Sequence, residues 1–231
     1  MSDPRIAMIT GATGGLGRVL AADLAAEGWN LVLVGSDGSR LDALRDELGL
    51  DHARCLTAAA NLRDAEATAG VIDAAYDEFG RVDALAHLVG GWTGGMYVGQ
   101  SPDEPYQSMI DQHLWTPLNV TRELAPRMAE AGSGRIVAVS SPMAVAPDAG
   151  MSAYGAGKAA LEALFVALAR EVEESGVTVN VVRVRAIDPD AGPEGSSNPD
   201  ATSANEISAA IRYLLSDEAR VINGRQIPLH R

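Results

Sequence analysis

Cysteine occurs once in the 231 residues, at Cys55. A single thiol excludes an internal disulfide and zinc-type ligand spacing, so no metal is expected and a reducing, cytoplasmic setting fits. Basic residues are also scarce: 18 Lys and Arg stand against 31 Asp and Glu, a net charge of -13. A chain of that sign is poorly suited to a phosphate backbone, and no Lys/Arg block forms a tail, so nucleic acid is not an expected partner. No apolar run approaches the ~20 residues of a membrane span. Met1 to Asp3 lead straight into Pro4 and a short strand-like run, which leaves no expectation of a secretory signal or a membrane partner. Aromatics make up only 4% of a chain that is 47% hydrophobic. The core is therefore expected to use small side chains and close backbone approach, as when helices pack tightly on a sheet.

What is present is a regular alternation. Apolar strand-like runs occur at Ile6–Ile9, Leu31–Val34, 53–57 (a weaker one), Val82–Val89, Ile136–Val139, Val177–Val184 and Gln226–Leu229. Between them lie helical patterns: Leu16, Leu20 and Leu24; Leu41, Leu44 and Leu48; Val71, Ile72, Ala75 and Phe79; a long stretch over roughly 104–130; Leu161, Leu164, Phe165, Leu168 and Val172 within 152–174; and Ile207, Ile211, Leu214 and Leu215. Continuous apolar strands mark parallel strands covered on both faces, and strict β-α alternation predicts a doubly wound α/β sheet. No repeat, linker or composition break divides residues 1–231, so one domain is expected. Pro117 lies inside the long helical stretch, where an interior proline costs ~3 kcal/mol, and predicts a kink or a local break. The segment Ile187 to Ser203 has no periodicity and follows a strand's carboxyl end, where ligands bind in such sheets.

The first strand runs into Thr10-Gly11-Ala12-Thr13-Gly14-Gly15-Leu16-Gly17. Glycines allow a tight turn and let backbone N–H groups approach an anion at the N-terminus of the next helix. Lying between a strand and a helix, this turn points to a dinucleotide pyrophosphate. The second strand ends in Val34-Gly35-Ser36-Asp37-Gly38. An acid at that tip favours NAD and a nearby Arg favours NADP. The signal is split. Gly35 and Ser36 leave the tip without an acid, so the reading leans to NADP(H); Asp37 lies just beyond, and Arg40 and Arg18 each either approach a 2′-phosphate or are solvated helix residues.

Ser140 and Ser141 close the fifth strand, and thirteen residues after Ser141 comes Tyr154 in Tyr154-Gly155-Ala156-Gly157-Lys158. Tyr and Lys at i and i+4 share a helix face. An ammonium beside a phenol is expected to lower its pKa from ~10 and prepare it to exchange a proton with an alkoxide or alcohol. A serine hydroxyl orients a carbonyl, and hydride exchange with a nicotinamide needs such a proton partner.

These segments resemble the short-chain dehydrogenase/reductase family over roughly residues 4–230. The resemblance implies a Rossmann-type doubly wound parallel sheet of about seven strands with helices on both faces, and an NAD(P)(H)-dependent oxidoreductase acting on a small carbonyl or alcohol. It implies Tyr154 as proton donor/acceptor, and Lys158 as the residue that lowers the tyrosine pKa and holds the nicotinamide ribose. Ser141 is implied to bind the substrate carbonyl. The implied cofactor positions are Gly11, Thr13, Gly14, Gly15, Leu16 and Gly17 in the turn, Ser36 and Asp37 at the strand tip, and Asn61 and Leu62 near the adenine. Val89, Gly90 and Gly91 follow the fourth strand, and Tyr154, Lys158 and Ile187 complete the set. Assembly as a homodimer or homotetramer is implied as well.

Three departures from the family pattern stand out. His87, Leu88, Val89 and Gly90 occupy the usual Asn-Asn-Ala-Gly positions. His113 stands where the family has its fourth catalytic residue, an Asn, and either takes up that role or fills the helix kink. Val184-Arg185 replaces the usual Pro-Gly after the sixth strand. The run Gly90-Gly91-Trp92-Thr93-Gly94-Gly95, with Leu114-Trp115-Thr116, is similar to dihydropteridine reductase-like members, although those often lack the strand-end serine. Trp92 either stacks on a flat substrate or packs over the nicotinamide or a subunit neighbour. Two rival readings remain: a pterin reductase, and a cofactor-binding protein with little turnover.

Overall fold

The computed structural model describes residues 4–191 and 195–229. Seven strands form one parallel sheet: β1 (Ile6–Thr10), β2 (Asn30–Gly35), β3 (Cys55–Ala59), β4 (Ala84–His87), β5 (Gly134–Ser140), β6 (Val177–Arg183) and β7 (Gln226–Pro228). Their spatial order is β3-β2-β1-β4-β5-β6-β7. The helices are α1 (Gly15–Ala26), α2 (Gly38–Glu47), α3 (Ala65–Phe79), α4 (Asp103–Ile110), α5 (Thr116–Glu130), α6 (Ser152–Glu171) and α7 (Ala204–Leu215).

The continuous apolar strands are buried on both faces because successive side chains enter opposite cores. Ala7, Ile9, Leu31, Leu33, Ala84 and Ala86 join Leu20 and Leu24 of α1 and Ile207 and Ile211 of α7. Ile6, Met8, Val32, Val34 and Leu85 join Ile72 of α3, Leu124 and Met128 of α5, and Leu161 and Phe165 of α6. Each fully buried aliphatic or aromatic side chain stabilises the fold by ~1.5–3 kcal/mol. Helix starts are set by side chains that accept orphan N–H groups. Asp37 accepts from Ser39 and Arg40 ahead of α2, Asp64 from Glu66 and Ala67 ahead of α3, and Ser203 with Glu206 forms a capping box at α7.

The strand order reverses between β1 and β4, so the turn after β1 and the loop after β4 open side by side at the carboxyl end of the sheet. Gly11 has φ +73, and a Cβ there would lie 3.0 Å from the Leu88 backbone. Only glycine lets the two loops come this close.

Several boundaries differ from the sequence pattern. The third strand lies at 55–59 rather than 53–57, the fourth is shorter than Val82–Val89, and the sixth helix stops at Glu171. Ile187 to Ser203 contains a short parallel ladder that pairs Ile187 with Thr202 and Asp188 with Ser203. The 104–130 stretch is a locally broken helix: α4 and α5 are joined by a π-helical turn at Asp111–Trp115. Pro117 is the second residue of α5, where a missing N–H costs little. No helix among the described residues is long and apolar enough to cross a membrane.

Candidate active site

A cleft of about 560 Å³ opens at the switch point between β1 and β4. Its floor is the first turn, with Gly11, Gly14, Gly15, Leu16 and Gly17. Gly17 admits no side chain, since a Cβ would stand 2.5 Å from the Gly11 carbonyl oxygen and 2.6 Å from that of Ala12. The first turn of α1 carries no acidic residue, and Gly14 caps the helix without a side chain. Free N–H groups and the helix dipole therefore face the cleft, which fits the pyrophosphate of a dinucleotide.

One wall is the exit of β4, through Val89, Gly90, Gly91 and Trp92; opposite it stand Tyr154 and Lys158 of α6, and Ile187 closes the far side. Twelve of the predicted site residues thus meet around one space. Ser141 is buried, its Oγ accepts from the Met143 N–H, and it stands near enough to Tyr154 to act on its pKa. Thr13, Ser36, Asp37, Asn61 and Leu62 stand outside the lining. Asp37 Oδ1 is occupied by the N–H groups of Ser39 and Arg40 and by the Ser39 hydroxyl, which hold its carboxyl below the ordinary range. The side chain of Asn61 accepts from the Arg63 N–H within its own loop. Leu62 is buried in the core, and its carbonyl receives Asn119 Nδ2 at 3.0 Å.

The pKa of Tyr154 differs from the sequence expectation. Burial raises it above the usual phenol value, and Ser141 offsets this in part. Lys158 does not lower it, because its Nζ lies 5.8 Å from the ring centroid and donates to the Val139 carbonyl at 3.0 Å. Burial lowers Lys158 to about 8, and the charge of Glu162, one turn along α6, opposes that shift. Glu162 is itself held by Arg183 at 2.8 and 2.5 Å.

His113 sits in the π-helical turn, fully buried beneath the loop after β4. Its Nε2 lies 3.1 Å from the Gly91 carbonyl oxygen, so Nε2 carries the proton and donates. Its ring packs edge-on against Tyr154, with centroids 5.7 Å apart. Nδ1 has no partner. Burial and the Lys158 charge keep the imidazole neutral, with a pKa lowered to about 3.

The cleft also takes residues that the sequence did not mark as site residues: Leu88, Val139, Ser140, Val184, Arg185 and Ala186. All lie at or just beyond the carboxyl ends of β4, β5 and β6, so strand order would have found them. The Ser140 hydroxyl is buried without a partner among the described residues. A buried polar atom left unpaired beside a glycine-lined groove fits a site that receives a polar ligand.

The family model described as short chain dehydrogenase matches residues 5–199. The chain is 30% identical to the 3-oxoacyl-[acyl-carrier-protein] reductase FabG of Escherichia coli (strain K12), an alignment covering 96% of this chain and 94% of that protein. It is 35% identical to the oxidoreductase UcpA of the same organism over 77% of this chain and 67% of that one. Among solved structures, a levodione reductase superposes with a TM-score of 0.87 at 26% identity, covering 98% and 96% of the two chains. A short-chain type dehydrogenase/reductase from Mycobacterium ulcerans superposes with a TM-score of 0.89 at 25% identity, covering 100% and 90%. With the glycine turn, Tyr154 and Lys158 gathered on one cleft at the sheet's switch point, the chain belongs to the short-chain dehydrogenase/reductase family of NAD(P)-dependent oxidoreductases.

Proposed function

We propose that this chain interconverts a small, uncharged ketone and its alcohol, with Tyr154 exchanging the proton and NADP(H) as the preferred cofactor. One observation carries the reading: Tyr154, one helical turn from Lys158 and near Ser141, lines a cleft together with the glycine turn. The nicotinamide, when bound, supplies or accepts the hydride. Tyr154 donates its phenolic proton to the developing alkoxide, and Ser141 holds the carbonyl oxygen through its hydroxyl. Lys158, released from Val139, holds the ribose hydroxyls and favours the phenolate left behind. Gly11, Thr13, Gly14, Gly15, Leu16 and Gly17 bind the pyrophosphate. Ser36, Asp37, Asn61 and Leu62 frame the adenosine, and Val89, Gly90, Gly91 and Ile187 pass beside the nicotinamide half.

The NADP(H) preference rests on Arg40, whose Nη2 donates to the Thr13 carbonyl at 3.0 Å and which is otherwise exposed beside the β2 tip. Asp37 is engaged in capping α2, and Arg18 is paired with Glu47. The uncharged substrate follows from the walls. Trp92, 61% exposed, and Ile187 present apolar surface, and Arg185 is paired with Asp200. Trp92 stacks on a flat substrate, which keeps the pterin reductase as a second reading; that reading predicts turnover of a dihydropteridine that survives Ser141→Ala.

A homodimer or homotetramer is supported by a groove of about 480 Å³ between α5 and α6, lined by Leu118, Ala125, Ala129, Leu164 and Leu168. A cytoplasmic setting agrees with the buried Cys55 thiol, which burial raises to about 11 and keeps unreactive.

The test is NADPH oxidation by the purified protein over a panel of cyclic and aromatic ketones, with Tyr154→Phe beside it. The variant should lose ~10²–10⁴-fold in kcat while binding NADPH as tightly as the parent. Equal turnover by the two proteins would sink the assignment. NADPH binding with no turnover on any ketone would favour a cofactor-binding protein.

A further inference from the structure

Behind the cleft runs a buried polar chain that links three elements. The Thr10 hydroxyl, at the end of β1, lies 2.9 Å from His87 Nδ1. His87 Nε2 lies 3.3 Å from the Thr116 hydroxyl, and that hydroxyl donates to the Gln112 carbonyl at 2.6 Å. Because Thr116 spends its proton on Gln112, its oxygen can only accept from His87. His87 therefore carries its proton on Nε2, and its Nδ1 accepts from Thr10. The chain has one direction, and it holds only for the neutral imidazole. Full burial, with Lys158 and His113 nearby, keeps His87 in that form.

The chain ends on the π-helical turn. In a continuous α-helix the Thr116 N–H would bond the Gln112 carbonyl, four residues back. Here it reaches Asp111, five residues back. The Gln112 carbonyl loses that donor and takes the Thr116 hydroxyl instead. A turn with one extra residue swings the following side chains by about a quarter-turn or more and is frequent at functional sites. This turn directs His113 under the loop after β4, where its Nε2 holds the Gly91 carbonyl and its ring backs Tyr154. The fit leaves no slack. A Cβ on Gly90 would stand 2.9 Å from His113 Cε1, and one on Gly157 would stand 2.9 Å from Cδ2. The same point above Gly90 lies 3.5 Å from His113 Nδ1 and 3.6 Å from Lys158 Nζ, so a shift of the ring alters what faces the lysine.

We infer that His87 is a positioning residue for the active site: through the Thr116 hydroxyl it pins the π-helical turn to the end of β1 and so sets the placement of His113 behind Tyr154 and Lys158. His87 lines no part of the cleft and touches no reacting atom. The inference rests on the reading of Tyr154 and Lys158 as the reacting groups, and its test separates the two.

Thr116→Val keeps the shape and removes the hydroxyl; Thr116→Ser keeps the hydroxyl; His87→Phe fills the ring volume without either nitrogen. With the ketone turned over best as probe, Thr116→Val and His87→Phe should lower kcat at least 10-fold while NADPH affinity changes less than 3-fold. Thr116→Ser should recover most of kcat. Imidazole ¹⁵N spectra should show His87 and His113 both protonated on Nε2 in the parent, and the His113 signals displaced in Thr116→Val but not in Thr116→Ser. Overturning results are a His87 protonated on Nδ1 in the parent, or a Thr116→Val protein that matches Thr116→Ser in its His113 signals. Should His87→Phe fail to fold, the two Thr116 variants decide. Should the parent turn over no ketone, the catalytic reading fails by itself, and the spectra still decide whether the pin exists.

Discussion

Arg40 carries the proposed preference for NADP(H), which local motif reading leaves split. Its backbone N–H belongs to the Asp37 cap, and its guanidinium folds back onto the Thr13 carbonyl of the glycine turn. The cation is thereby held between the turn and the β2 tip, the region expected to receive an adenosine ribose. A hydrogen bond to a charged group contributes ~1.5–3 kcal/mol, or roughly 10–100-fold in affinity. Arg40→Ala should therefore weaken NADPH binding by about that factor and leave NADH binding nearly unchanged, as read by cofactor-fluorescence titration. Equal losses for both cofactors would remove Arg40 from the recognition of the 2′-phosphate. The sequence offered Arg40 either as a 2′-phosphate ligand or as a solvated helix residue. What it did not contain was the occupation of the competing groups: Asp37 by the helix cap and Arg18 by Glu47.

At the scale of elements, the β1–α1 junction is the most constrained piece of backbone in the site. Gly17 sits with its α-carbon against the Gly11 and Ala12 carbonyls, so an added methyl meets backbone that cannot yield without moving α1. Overpacking of this kind costs ~1–3 kcal/mol. Gly17→Ala should lower Tm and weaken NADPH binding together, because the displaced helix end is also the proposed anion site; differential scanning fluorimetry with and without NADPH measures both. An unchanged Tm would mean that the turn relaxes more easily than its geometry implies. The α4–α5 junction makes the opposite use of backbone. Pro117 flagged a break in the sequence, yet the break lies just ahead of it, at Asp111–Trp115, and the proline takes a position where its missing N–H does no harm. Hydrophobic spacing locates a helix but does not resolve a one-residue insertion within it, because the apolar face resumes on the far side of the turn.

For the whole molecule, the two buried imidazoles make stability depend on pH. Both His87 and His113 are lowered from the usual 6.5 to about 3, first by burial and then by the Lys158 charge. In the unfolded chain they take protons below pH ~6.5, whereas the folded protein refuses them down to about 3, so stability falls as pH falls through this window. Between pH 7 and pH 5 the loss is on the order of 2 kcal/mol per histidine. Urea titrations at the two pH values should show it, and His87→Phe should remove about half. A parent equally stable at both values would contradict the buried, neutral state of the pair.

The order of elements, the parallel sheet covered on both faces, the glycine turn and the Ser141–Tyr154–Lys158 spacing were all legible in the sequence. Each follows from short-range rules: apolar runs with no polar face, glycine where an anion must approach, and residues one helical turn apart on one face. The capping role of Asp37 and the polar chain from Thr10 to Gln112 were decided only in three dimensions. Thr10 and His87 are 77 positions apart, and His87 and Thr116 are 29 apart. Nothing local marks such pairs: Thr10 meets His87 because β1 and β4 are neighbours at the switch point, and His87 meets Thr116 because the end of the π-helical turn packs against β4. The pKa of Tyr154 belongs to the same class: spacing puts a lysine on its helix face, but burial and the Val139 carbonyl decide where that charge points.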